Sequence, residues 1–138
     1  MKIHLLFCCL YVLFLLGCDS LHYRQYVVKD VSLKDQETAS VILANAAHIA
    51  TLEDVTAESS MPKTLAYYEE KPEMRSGFKV WLGARIYNED LVIDLSCFHP
   101  GWSSPRTYKS AEATLSQELP KVFGERLTID PQPPVPFR

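Results

Sequence analysis

Between Phe78 and Phe98 the chain alternates strictly. Phe78, Val80, Leu82, Ala84 and Ile86 are interleaved with Lys79, Trp81, Gly83, Arg85 and Tyr87. After Asn88-Glu89-Asp90, Leu91, Ile93, Leu95 and Cys97 alternate with Val92, Asp94, Ser96 and Phe98. A period of two places one set of side chains on each face of a strand. Two such runs around a three-residue turn predict an antiparallel hairpin, with the aliphatic set and Cys97 facing a core. Everything else in the fold has to be built around that sheet.

Upstream, Tyr23 to Val31 is rich in β-branched and aromatic residues and reads as a strand. Ser32 with Asp35 three residues on forms a capping-box-like start. The helix it opens is expected to run to about Ala50, with Thr38, Val41, Ile42, Ala46 and Ile49 on its apolar side. Asp35, Glu37 and Ser40 lie away from that side, and the alanines suit close packing on a sheet. Thr51 to Lys63 reads as a polar loop with room for one short strand at its start. Leu65 to Glu70 reads as another strand, followed by a turn bounded by Lys71-Pro72 and Ser76-Gly77.

Downstream, His99 to Pro105 reads as a loop. A second helix is expected from Arg106 or Thr107, with Tyr108, Ala111, Leu115, Leu119 and Val122 as its stripe and Gly124 as its stop. Pro120 lacks an N–H and is expected to kink or divide that helix near Glu118. Leu127 to Ile129 reads as a closing strand, and the proline-rich stretch after it as an extended or disordered tail. The expected fold class is α+β: an antiparallel sheet of about four to five strands with two helices on one face. Its element order resembles a ferredoxin-like split βαβ plan with an added strand.

The N-terminus carries a different kind of signal. Met1 and Lys2 are followed by a nearly unbroken apolar run from Ile3 to Leu16, as in a secretory signal peptide. The run is shorter than the roughly 20 residues a transmembrane helix needs. It ends in Leu15-Leu16-Gly17-Cys18, which resembles the lipobox of bacterial lipoproteins. That resemblance implies cleavage before Cys18 and diacylglycerol on its sulfur. Leu16 departs from the small residue usual at its place, which implies slower processing. Two or three acyl chains make attachment effectively permanent, whereas one myristoyl chain holds only reversibly. Asp19 directly after the cysteine resembles the sorting signal for inner-membrane retention, so the inner membrane is favoured over the outer. The expected layout is a signal peptide at 1–17, a lipidated tether at 18–22, one domain at 23–130 and a tail at 131–138.

Composition narrows the function classes. The 138 residues carry a formal charge of −3, and cleavage of the signal would remove Lys2. Charges of both signs are interspersed, so nothing suggests nucleic acid or a polybasic membrane contact. Cys8 and Cys9 belong to the signal and Cys18 to the lipid, leaving Cys97 as the sole free thiol in an oxidising compartment. A buried, inert role is expected for it. Cys97 and His99 are near in sequence, but a core-facing thiol makes a poor nucleophile. Of His22, His48 and His99, none has a partner at metal-ligand spacing. Glu69-Glu70 alternates faces in a strand and reads as solvated charge. No cofactor and no metal are expected.

One surface stands out. Trp81, Arg85 and Tyr87 share the hairpin face opposite the aliphatic core, with Phe98 and Trp102 nearby, and Trp, Tyr and Arg dominate protein interfaces. The sequence therefore reads as a membrane-anchored periplasmic binding module that is not an enzyme. An accessory subunit of an envelope complex and a toxin-immunity protein fit equally well. The alternative is a small-ligand binder or enzyme with a pocket between sheet and helices. A third role, spacing membrane from wall, would use the proline-rich tail.

Overall fold

The hairpin alternation closes a sheet that reaches further at both ends than the pattern suggested. The computed structural model describes residues 19–71, 79–100 and 105–136. In chain order the elements are β1 (Asp19–Val28), α1 (Leu33–Ile49), β2 (Leu52–Asp54), β3 (Thr64–Glu70), β4 (Lys79–Tyr87), β5 (Asp90–Pro100), α2 (Arg106–Phe123) and β6 (Leu127–Ile129). The six strands form one antiparallel sheet in the order β2-β3-β4-β5-β1-β6. The fold class is α+β as expected, but the sheet has six strands rather than four to five. The element order matches the ferredoxin-like expectation only roughly.

The extension has a physical cause. Asp19 to His22, expected to be a tether, are strand, because β5 continues through His99 and Pro100 and offers Asp19 to His22 a partner edge. The stretch beginning at His99 is therefore not loop until after Pro100. The hairpin is also tighter than expected. Tyr87 pairs with Asp90, so the turn is Asn88-Glu89 alone, with φ of 49° and 68°. Two left-handed residues are what a two-residue turn matching the strand twist requires. Phe78 and Trp102 lie outside the described residues.

Both helices pack on one face through a continuous core. Val80, Leu82, Ala84, Leu91, Ile93, Leu95 and Cys97 are buried there, as the alternation predicts. On α1 the buried residues are Ala39, Ile42, Leu43, Ala46 and Ala47, whereas Val41 and Ile49 are exposed. The apolar face is thus rotated from the expected one. Alanines set the contact because they let the helix axis approach the strands, and the bulkier Val41 is turned outward. On α2, Tyr108, Ala111, Leu115, Leu119 and Phe123 are buried, with Phe123 in place of the expected Val122. Pro120 does not divide this helix. It sits in the last turn, where Gly124 caps at φ 51° and its N–H reaches the Pro120 carbonyl.

The capping box holds as read: the Asp35 N–H donates to Ser32 Oγ and the Ser32 N–H to the Asp35 carboxylate. Such a cap contributes about 1 kcal/mol. Arg126 adds a bidentate contact to Asp35 at 2.9 and 3.1 Å, tying the start of α1 to the end of α2. Arg126 first, and then Ser32, hold the Asp35 carboxyl well below the ordinary carboxylate range. This link is therefore complete above an unfolded pKa of about 4 and is lost as pH falls through the lower folded value.

Candidate functional site

The face of the sheet opposite the helices carries the candidate site. Strand register arranges it in rows across β1, β5, β4 and β3. Leu21, Phe98 and Lys79 form a row close to the start of β1. Tyr23, Ser96, Trp81 and Glu69 form the next, and Gln25, Asp94, Gly83 and Tyr67 the third. This face is half covered. Gln25, Arg85, Asp94 and Ser96 are buried, although all four are polar.

The cover is the tail. Residues 131–136 run across this face instead of hanging free, and their backbone is read by the sheet. The Val135 N–H donates to Gln25 Oε1 at 2.8 Å, and Gln25 Nε2 donates back to the Val135 carbonyl at 3.0 Å. Arg85 donates to the Pro136 carbonyl. Beneath the tail, Asp94 organises the cluster. It accepts from the Tyr23 hydroxyl at 2.6 Å, from Gln25 Nε2 at 2.8 Å and from Arg85 at 3.1 Å. Since the Val135 N–H can only donate, Gln25 must turn its oxygen to the tail and its nitrogen to the carboxylate. Burial, then the bond to Asp94, raises the Tyr23 hydroxyl pKa well above its ordinary value. At the tail's root, the Asp130 N–H donates to the Gln25 carbonyl and its carboxylate accepts from the Gln25 N–H.

Beside this cluster lies an open cleft of about 270 Å³. Met61, Tyr67 and Trp81 wall it, and Gly83, Arg85 and Asp94 close its base. Gly83 leaves room for the Tyr67 ring there. A Cβ would stand 3.2 Å from Tyr67 Cδ2, so the tyrosine ring covers the bare backbone. Burial and then the Glu69 carboxylate push the Tyr67 hydroxyl up to about 12. The Met61 wall is held by Thr64, whose hydroxyl donates to the Met61 carbonyl at 2.7 Å.

The expected partner surface is only partly assembled. Trp81 is half-buried and lines the cleft. Arg85 is 4 % exposed and ion-paired to Asp94, so it belongs to the interior of the face and not to a contact surface. Tyr87 is half-buried at the far end of β4, six residues and about 20 Å of strand from Trp81. The three do not form one patch. Gln25, Tyr23 and Met61 were not anticipated. Asp94 carried a readable signal, as a charge in the middle of an apolar strand one register row from Arg85.

The remaining candidates fall elsewhere. Cys97 is fully buried among the core residues, and burial, then the Glu70 charge, pushes its thiol up to about 11. Thiolate is the reactive form, so alkylation of the folded protein at pH 8 should proceed far more slowly than in denaturant, which a thiol-reagent time course would check. His22 is in β1 with its ring 5.9 Å from Tyr108, and His48 is exposed at the end of α1. Among the described residues no three His, Cys, Asp or Glu side chains converge as a metal site, and no helix is long and apolar enough to cross a membrane. Cys18 lies outside the described residues. Compared with known proteins, the chain matches no family model, no curated protein and no solved structure.

Proposed function

We propose that the protein is a bacterial envelope lipoprotein, anchored by lipid on Cys18 and facing the periplasm, that acts as a non-enzymatic protein-binding module. The observation that carries the binding role is the Met61–Tyr67–Trp81 cleft. At about 270 Å³ it has room for one large side chain. Tryptophan and tyrosine around a rigid base are the residues on which binding energy concentrates, and methionine adapts to the shape that enters. The Arg85–Asp94 pair keeps the base stiff and close to neutral. A partner is thus held by an apolar anchor and not by charge.

The alternative, a small-ligand or catalytic pocket between sheet and helices, has only a shallow, open hollow of about 400 Å³ to draw on, lined by Gln36, Lys63, Thr64, Leu65 and Ile86, beside a continuous core. The ferredoxin-like relation is kept as a likeness of element order and guides neither role. Asp19 supports retention in the inner membrane. Accessory subunit and immunity protein remain the two roles this site would serve; only the second makes deletion harmful solely in the presence of a toxin.

Two measurements test the reading. Palmitate should label the wild type and not Cys18→Ser, and equal labelling would remove the anchor. A photoreactive side chain at position 61 should capture a specific protein in intact cells, and the adduct should be lost on Trp81→Ala but kept on Tyr87→Ala. An adduct indifferent to Trp81 would place the contact elsewhere.

A further inference from the structure

The lipid-bearing residue and the sheet are separated by nothing. Cys18 is followed at once by β1, whose first residue is Asp19. Resting on the anchoring proposed above, we infer that the domain has no leash and sits directly on the bilayer, with the Leu21–Phe98 edge of the sheet in contact with lipid. Leu21 and Phe98 are cross-strand partners on the helix-free face. They are 62 % and 44 % exposed, both large apolar side chains. Three residues of chain can hold Leu21 no further than about 11 Å from the backbone of the acylated residue. An interfacial apolar surface enters the headgroup region by about 5–10 Å, so the anchor brings this pair to the depth where it would be buried.

Topology adds to the same end of the sheet. Lys79 neighbours Phe98, and Leu52 pairs with Glu70 there. Ile49, 51 % exposed in the last turn of α1, lies three residues before Leu52. Charges at this end are mixed, with exposed Lys71, Arg106 and Lys109 against half-buried Glu69 and Glu70. Apolar contact carries the seating, and exposed Lys71, Arg106 and Lys109 add attraction to anionic headgroups. The cleft begins one register row further from the membrane, at Trp81. A partner that enters it must itself lie at the membrane surface.

The test uses full-length lipidated protein in vesicles of phosphatidylethanolamine and phosphatidylglycerol. Single exposed positions are converted, Leu21→Cys, Phe98→Cys and, as control, Val41→Cys on the outer side of α1, and labelled with an environment-sensitive fluorophore. The buried Cys97 stays in place, and the unsubstituted protein sets the labelling background. Lipid carrying a nitroxide near the headgroup should quench the labels at 21 and 98 several-fold more than the label at 41. Equal quenching at all three positions, with acyl chains on Cys18 verified by mass, would overturn the seating and leave the anchor intact. A blue-shifted but unquenched label would mean that a second copy covers the edge, which also overturns it. Absence of acyl chains on Cys18 would overturn the anchoring reading, and the seating with it.

Discussion

Asp94→Ala should lower the unfolding free energy by roughly 3–5 kcal/mol, the largest loss expected from any single polar substitution in this chain. The size follows from what the carboxylate holds. Arg85 and Asp94 are both buried, with side chains 5 % and 7 % exposed, and their 3.1 Å contact compensates a guanidinium that water scarcely reaches. Removing the carboxylate deprives that charge of its counter-ion and also strips the Tyr23 hydroxyl and the Gln25 amide of their acceptor. Each such bond is worth about 0.5–1.5 kcal/mol net, and more where the acceptor is charged. Urea unfolding of detergent-solubilised protein at neutral pH measures the effect.

A companion variant separates charge from packing. Arg85→Met together with Asp94→Ala removes both charges, so its loss should be smaller than the sum of the two single losses. Additive losses would mean that the pair is not coupled and that the cluster is held by its neutral hydrogen bonds alone. Asp94→Ala should also loosen the tail, because Gln25 is steered by the carboxylate on one side and by Val135 on the other.

The difference between what was legible and what was not follows the range of the interactions. Period-two alternation in β4 and β5, the Ser32–Asp35 box and the Gly124 stop are local patterns. Each appears in the structure where the sequence places it, although the turn is one residue shorter. The helix faces were legible only in part. Large apolar residues draw the eye to Val41 and Ile49, but the sheet selects the alanines on the neighbouring face because close approach buries more backbone surface. Leu115 and Leu119 left no such ambiguity.

The candidate site was less legible for the same reason. Trp81 was identifiable from strand parity, and it does line the cleft. Arg85 has the same parity and was grouped with it as a candidate contact residue, yet it is covered. What covers it comes from the other end of the chain: Val135 and Gln25 are 110 residues apart. No periodicity encodes that meeting, and a run of prolines reads as disorder when its docking surface is unknown. The strand at Asp19–His22 was missed likewise, since only its partner, β5, reveals that it is paired.

Truncation after Asp130 is therefore the second informative change, with an expected loss of about 1–3 kcal/mol. Deleting residues 131–138 removes the paired Gln25–Val135 bonds and the Arg85–Pro136 bond, together worth roughly 2–5 kcal/mol at ordinary net values. Against this stands the cost of ordering the tail, about 1–2 kcal/mol for each flexible residue. Pro131, Pro133, Pro134 and Pro136 make up half of that segment. Their rings fix φ, so the unfolded chain has less freedom to lose and the cost falls well below the general figure. Docking is thus favourable, but only moderately. Truncation should leave amide exchange at Gln25 slow, because the Asp130 carboxylate still accepts from its N–H, and β6, held to β1 at Tyr26, Val27 and Val28, stays protected. Gln25→Leu supplies the control, since it abolishes the paired contact with the tail still present. If truncation costs as much in Gln25→Leu as in the wild type, the glutamine does not hold the tail, and its burial has to be explained by Asp94 and Tyr23 alone.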